Sequence, residues 1–120
     1  MSRKVCIIED NTPNRKLFAM LLKKSNYEVV DFENATTAID WLKNSNVDLV
    51  LLDILLPDMN GSELMQHIKD LPNHQNTKII AITGFSSITD KEKFLQQGFD
   101  GYLSKPINTT TFVKDIEAFL

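Results

Sequence analysis

The chain alternates between short runs of β-forming residues and longer segments with helical periodicity, and this alternation restricts the possible folds more than any other feature. Each of the five runs is followed by a helical pattern. The runs cover residues 4–8, 27–32, 47–53, 78–83 and 100–104, and the helical patterns cover about 13–24, 35–43, 61–70, 89–97 and a last segment after Asn108. Five strand–helix units predict a parallel sheet, and right-handed crossovers place helices on both of its faces.

Three of the runs contain the segments VCII, LVLL and IIAI, which are apolar throughout instead of alternating. A strand has this pattern when helices cover both faces of a parallel sheet. The sequence therefore predicts a doubly wound α/β fold. A length of 120 residues is typical of one domain.

The composition excludes several classes of protein. The net charge is −3 and no run of Lys and Arg exceeds two residues, which argues against a nucleic-acid-binding surface. A single cysteine, Cys6, excludes a disulfide framework, and its spacing from His67 and His74 argues against a structural zinc site. We expect both histidines to be solvated. Because the chain has no signal peptide and no apolar stretch near the ~20 residues of a membrane span, we expect a soluble cytoplasmic protein.

Polar and charged side chains collect where the predicted strands end. They are Glu9 and Asp10 after the first strand, Asp53 at the end of the third, Thr83 at the end of the fourth, and Lys105 with Pro106 after the fifth. In doubly wound sheets the ligand-binding crevice lies at the carboxyl ends of the strands. If the first, third, fourth and fifth strands are neighbours, these groups converge on one crevice.

Asp53 is central to this set because it interrupts the apolar segment LVLLDILLPDMNG. A lone buried charge is costly unless a partner compensates it. Three neighbouring carboxylates need a cation, and oxygen ligands without His or Cys favour Mg²⁺. A divalent ion, the Lys105 ammonium and the Thr83 hydroxyl around a nucleophilic carboxylate are the components of phosphoryl transfer to aspartate. Each residue alone is typical of a turn, strand or loop, and only their joint placement favours this chemistry.

Four segments together resemble the receiver domain of two-component response regulators: IIEDN, LVLLDILLPDMNG, IIAITG and GYLSKP. The resemblance covers essentially the whole chain. Within the family, the segments EDNTPNRKLF, ITGF and YLSKPI resemble the stand-alone cell-cycle receivers of the DivK type. The resemblance implies one receiver domain over residues 1–120, with a flavodoxin-like (βα)5 fold and strand order 2-1-3-4-5.

The resemblance also implies a role for each acidic residue. Asp53 matches the phosphoacceptor. Asp10 matches the direct Mg²⁺ ligand, and Glu9 matches the acid that holds metal-bound water. The backbone carbonyl of Leu55 matches the third protein ligand of the metal, beside Asp10 and Asp53.

The remaining matches concern phosphate binding and switching. Lys105 matches the phosphate-binding lysine, and its bond to Pro106 is expected to be cis. Thr83 matches the switch hydroxyl, which also binds phosphate, and Tyr102 matches the aromatic residue that turns inward when Thr83 moves.

The implied function is that of a phosphorelay receiver. Asp53 takes a phosphoryl group from a phosphohistidine on a histidine kinase or histidine phosphotransfer protein, and a surface formed by helix 4, strand 5 and helix 5 then binds a downstream effector protein. The domain would catalyse only its own phosphorylation and dephosphorylation, and so would not be an enzyme in the usual sense. Because the sequence ends with the fifth helix, output is expected through protein contact. An alternative is a receiver domain excised from a hybrid histidine kinase or a longer response regulator.

Three other classes fit the sequence less well. An aspartyl-phosphate hydrolase usually has a second acid two residues beyond the nucleophile, where this chain has Leu55. A flavodoxin-like cofactor binder needs a Gly- or Ser/Thr-rich phosphate loop, whereas EDNTPN is acidic. A pseudo-receiver would lack part of the acidic set. Since Leu55 and Phe85 are apolar residues beside the acceptor, we also expect a long-lived phosphorylated form.

Overall fold

The computed structural model of the protein describes residues 3–84 and 88–120, so Phe85 lies outside the described residues. Strands and helices alternate as predicted, with one additional short 3-10 helix. The elements are β1 (Lys4–Ile8), α1 (Thr12–Lys24), β2 (Glu28–Phe32), α2 (Ala35–Leu42), β3 (Leu49–Asp53), α3 (Gly61–Lys69), the 3-10 helix (Pro72–His74), β4 (Lys78–Thr83), α4 (Ile88–Gln97), β5 (Gly101–Ser104) and α5 (Phe112–Glu117). Within the described ranges, no helix is both long enough and apolar enough to cross a membrane.

The five strands form one parallel sheet in the order β2-β1-β3-β4-β5. The doubly wound fold and its strand order are therefore confirmed. One core lies between the sheet and the pair α1 and α5, and a second lies between the sheet and α2, α3 and α4. In β3, Leu49 and Leu51 enter the first core while Val50 and Leu52 enter the second, which explains why this strand is apolar throughout.

The register of the sheet brings the acidic residues to one edge. Ile8 of β1 lies opposite Leu52 of β3, so the residues that follow them, Glu9 and Asp53, are neighbours. Thr83 ends the adjacent strand β4 at the same edge, because all strands run in the same direction. The amino-terminal ends of α1, α2 and α3 lie near this edge as well, since each helix follows a strand that ends there.

His74 differs from the sequence-based expectation: it is fully buried, whereas His67 is exposed as expected. The 3-10 helix places the His74 ring beneath the end of α2. Its Nδ1 lies 2.9 Å from Thr77 Oγ1 and its Nε2 lies 2.8 Å from the Leu42 carbonyl oxygen. The expectation that His74 is solvated is therefore wrong, because the ring satisfies carbonyl and hydroxyl groups that the fold buries.

We expect His74→Leu to lower the free energy of unfolding by about 1–3 kcal/mol, because the buried Leu42 carbonyl and Thr77 hydroxyl would lose a hydrogen-bond partner. Equilibrium unfolding in urea measures the change. His67→Leu is the matched control, since His67 is exposed, and its effect should stay within about 0.5 kcal/mol. Equal effects of the two substitutions would contradict the structural role of His74.

Candidate functional site

Three carboxylates meet at the carboxyl edge of the sheet. Glu9, Asp10 and Asp53 each offer one oxygen, and these oxygens lie within 4.8 Å of one another. Glu9 and Asp53 are buried, and Asp10 is exposed at the mouth of the cluster. The structure thus brings together the three acids that the sequence places after β1 and at the end of β3.

Lys105 pairs with two of these acids. Its Nζ lies 2.6 Å from Glu9 Oε1 and donates a hydrogen bond to Asp53 Oδ2 at 3.0 Å. The other oxygen of Asp53, Oδ1, accepts a hydrogen bond from the Leu55 backbone N–H at 3.0 Å. Burial lowers the pKa of Lys105, but its hydrogen bonds with Glu9 and Asp53 outweigh this effect and raise the pKa overall. The lysine therefore remains a cation beside the buried acids.

One ammonium does not compensate the whole cluster. Burial raises the pKa of Glu9 to about 7, and the hydrogen bond with Asp53 acts in the same direction, while Lys105 opposes both. Apart from the ion pair with Lys105, the buried Oε1 of Glu9 has no hydrogen-bond donor among the described residues. Three clustered carboxylates that share a single ammonium fit a hard divalent cation such as Mg²⁺.

The segment after Asp53 is held close to the sheet. Its base is closed by a hydrogen bond of 2.7 Å from the Gly61 N–H to the Ile54 carbonyl and by an antiparallel bridge between Leu55 and Asn60. A Cβ atom on Gly61 would lie 2.7 Å from the Ile54 Cα and 2.9 Å from the Asp53 carbonyl oxygen. Only glycine therefore lets α3 begin directly against the end of β3. The Leu55 side chain is 61% exposed and faces solvent beside the acid cluster.

Thr83 and Tyr102 lie on the neighbouring strands. Thr83 is buried at the end of β4, and its carbonyl accepts a hydrogen bond of 2.8 Å from the Lys105 N–H. The Lys105–Pro106 peptide bond is cis. Tyr102 is partly buried on β5, and its ring stacks on Phe94 of α4 with centroids 6.0 Å apart. Burial raises the pKa of the Tyr102 hydroxyl, and the nearby charge of Asp90 adds to this effect.

Two residues of the site surroundings were not identified from the sequence. The Arg15 guanidinium donates to the Glu9 carbonyl at 3.0 Å and pairs with Asp31 at 3.3 Å. Asp58, in the segment between β3 and α3, accepts hydrogen bonds from the start of α2. The Glu9 contact of Arg15 spans six positions, whereas Asp31 and the start of α2 are distant in the sequence from Arg15 and Asp58, and no local spacing signals those contacts.

Comparisons with known proteins agree with this geometry. The family model of the response regulator receiver domain matches residues 5–117. The polar-differentiation response regulator DivK of Brucella anthropi is 37% identical over 120 residues, which cover 100% of this chain and 98% of that protein.

Solved structures with the same fold are also similar. The chemotaxis response regulator CheY4 of Vibrio cholerae superposes with a TM-score of 0.94 at 24% identity, with 100% of both chains covered. The receiver domain of a sensor histidine kinase from Pseudomonas aeruginosa, described with a magnesium ion coordinated in its active-site cleft, has a TM-score of 0.88 at 24% identity over 99% of this chain and 98% of that one. Together with the family match and the DivK relative, these findings show that the chain belongs to the family of response regulator receiver domains, which act in two-component signalling.

Proposed function

We propose that the domain accepts a phosphoryl group on Asp53 from a phosphohistidine of a histidine kinase or histidine phosphotransfer protein. The observation that carries the proposal is the position of Asp53: it is a buried carboxylate at the strand edge, paired with Lys105 at 3.0 Å and grouped with Glu9 and Asp10. A buried carboxylate with a neighbouring cation and further acids for a metal is the arrangement that phosphoryl transfer to aspartate requires.

A magnesium ion fits this site. Glu9, Asp10, Asp53 and the Leu55 backbone carbonyl would hold it, with Glu9 acting through water as the family resemblance implies. When bound, Mg²⁺ would neutralise charge between the carboxylates and the phosphoryl oxygens. The cluster of three carboxylates, two of which share the Lys105 ammonium, supports this assignment, and the Pseudomonas aeruginosa receiver domain is described with magnesium in its cleft.

The protein's own groups would perform the transfer as follows. An oxygen of Asp53 forms the new P–O bond while the P–N bond of the phosphohistidine breaks, and the leaving imidazole nitrogen keeps the electron pair. The Lys105 ammonium, already bound to Asp53, stabilises negative charge on one phosphoryl oxygen. The Thr83 hydroxyl donates a hydrogen bond to another oxygen.

Phosphorylation would then change the surface formed by α4, β5 and α5. The phosphoryl group adds about −1.5 to −2 charge at neutral pH and draws the Thr83 hydroxyl toward it. Thr83 and Tyr102 lie on the same face of the sheet, because Tyr102 is opposite Ala81, two residues before Thr83. A shift of Thr83 therefore alters the space available to the Tyr102 ring and its packing on Phe94. This biases an existing equilibrium between two conformations, and the changed surface binds the effector protein.

The domain would catalyse only its own phosphorylation and dephosphorylation. Leu55 occupies the position two residues beyond Asp53, where a hydrolase of this chemistry places a general acid–base.

The test of the proposal is the intact mass of the purified chain after incubation with acetyl phosphate. We expect the mass of one phosphoryl group to be added with Mg²⁺ and not with EDTA. An adduct that forms equally well with EDTA, or no adduct with Mg²⁺, would contradict the proposed function.

The exposed Leu55 side chain leads to a prediction about phosphoryl lifetime. Leu55→Asn is expected to speed the loss of the phosphoryl group several-fold, because an amide beside the acceptor can orient an attacking water and an alkyl group cannot. The decay of the phosphorylated mass after removal of the donor measures the rate. Leu95→Asn is the control, since Leu95 is an exposed leucine on α4. An unchanged decay rate in Leu55→Asn would disprove this role.

A further inference from the structure

Asp58 joins the segment after the acceptor to a different element of the fold. It lies in the loop of residues 54–60, five positions after Asp53. Its Oδ1 accepts a hydrogen bond from the Ala35 N–H at 3.0 Å, and its Oδ2 accepts from the Thr36 N–H at 2.9 Å and the Thr36 hydroxyl at 2.6 Å. Both carboxylate oxygens are therefore bound to the first turn of α2.

The rest of the loop is held by hydrogen bonds at its base and by Leu56 and Met59, which pack against the core. The Gly61 N–H bonds to Ile54, and Leu55 bridges to Asn60, so these contacts close the loop on itself. Among the hydrogen bonds recorded for residues 3–84 and 88–120, those of Asp58 are the ones that attach the tip of this loop to α2. The base of the same loop carries the Leu55 N–H that orients Asp53, and the Leu55 carbonyl that would bind the metal.

Asp58 is exposed to solvent and carries a fixed negative charge. The hydrogen bond from the Thr36 hydroxyl, followed by that from the Ala35 N–H, lowers the pKa of Asp58 to about 2. The carboxylate is therefore ionised at any pH near neutrality. An anion is also favoured at the amino-terminal end of a helix, where unpaired N–H groups point outward.

We propose that Asp58 is a positioning residue for the metal site, which holds the loop of residues 54–60 in the arrangement that Mg²⁺ needs before the ion binds. The inference rests on the proposed function, since it assumes that the acid cluster binds Mg²⁺. A loop released from α2 would have to be ordered when the ion binds, and that ordering would reduce affinity. Residues that orient metal ligands from outside the coordination shell typically affect affinity about 10–100-fold.

The experiment compares two substitutions in the full chain. Asp58→Ala removes the contact between the loop and α2. Asn34→Ala is the matched control, because Asn34 caps the same helix. Its side-chain oxygen accepts hydrogen bonds from the Thr37 N–H at 3.0 Å and the Thr37 hydroxyl at 2.7 Å, and among the described residues the Asn34 side chain has no hydrogen bond to the loop of residues 54–60. Both changes weaken the start of α2, so urea unfolding should show similar losses of stability.

Mg²⁺ affinity, measured by titration calorimetry with Mg²⁺ alone, separates the two variants. We expect Asp58→Ala to bind Mg²⁺ about tenfold more weakly than the unsubstituted chain. Asn34→Ala should bind it with unchanged affinity. Asp58→Asn, which keeps one oxygen acceptor and loses the charge, should lie between the two.

Two results would overturn the inference. Unchanged affinity in Asp58→Ala would show that Asp58 stabilises α2 alone, and equal losses of affinity in Asp58→Ala and Asn34→Ala would show that the stability of the helix decides the affinity.

If the unsubstituted chain does not bind Mg²⁺, the proposed function fails. Amide hydrogen exchange then decides whether Asp58 positions the loop. In the metal-free protein the amides of residues 55–60 should exchange faster in Asp58→Ala than in Asn34→Ala, and equal exchange would refute the role of Asp58.

Discussion

Asp53→Asn is expected to abolish the Mg²⁺-dependent phosphoryl adduct that acetyl phosphate forms on the unsubstituted chain. The amide has the same shape as the carboxylate but is a very poor nucleophile, so the fold is retained while the acceptor is lost. The substitution also removes one of the three acids of the cluster and with it part of the metal site. Both effects act in the same direction, and intact-mass spectrometry measures the result.

Asp70→Asn is the control for this experiment. Asp70 is an exposed aspartate at the C-cap of α3, and α3 leads away from the acidic edge of the sheet. We expect this variant to be labelled like the unsubstituted chain. Labelling of Asp53→Asn at the normal level would place the phosphoryl group on another residue and refute the assignment of Asp53.

Lys105→Met is expected to change metal binding and phosphorylation in opposite directions. The Lys105 ammonium lies within 3.0 Å of carboxylate oxygens on both Glu9 and Asp53, so it competes with a metal ion for the same negative charge. Its removal should strengthen Mg²⁺ binding several-fold. The rate of phosphorylation should fall about 10²–10³-fold, because one group that stabilises charge in the transition state is lost.

The measurements are Mg²⁺ titration and the initial rate of labelling by acetyl phosphate. Lys69→Met is the matched control, since Lys69 is also a partly exposed lysine in an ion pair, with Asp100 at 3.2 Å, but lies at the end of α3 remote from the cluster. It should change neither quantity. A loss of Mg²⁺ affinity in Lys105→Met would contradict the electrostatic role given to this lysine.

Much of the fold and of the acid cluster could be predicted from the sequence, for a physical reason. Strands of a parallel sheet all end at one edge, so polar residues placed at strand ends in the sequence meet in space. This is why Glu9, Asp10, Asp53 and Lys105 could be grouped before their distances were known. Likewise, the apolar run of β3 predicts burial on both faces, as the two cores confirm.

The contacts of single polar residues could not be predicted in this way. His74 was expected in solvent but is buried against Leu42, 32 positions earlier in the chain. From its position after Pro57, Asp58 is typical of a turn, but its carboxylate accepts hydrogen bonds from Thr36, 22 positions earlier. Neither contact follows from the periodicity of the sequence. The first depends on how the 3-10 helix packs against the end of α2, and the second depends on how the loop of residues 54–60 packs against the start of α2.

The sequence alone establishes the fold class and the edge of the sheet at which the acids gather, since strand direction and the positions of strand ends suffice for both. The tertiary structure decides which carboxylate oxygens already accept a hydrogen bond: those of Glu9 and Asp53 from Lys105, and those of Asp58 from the start of α2. Hydrogen bonds depend on distances of a few tenths of an ångström, and only the packing of complete elements sets such distances.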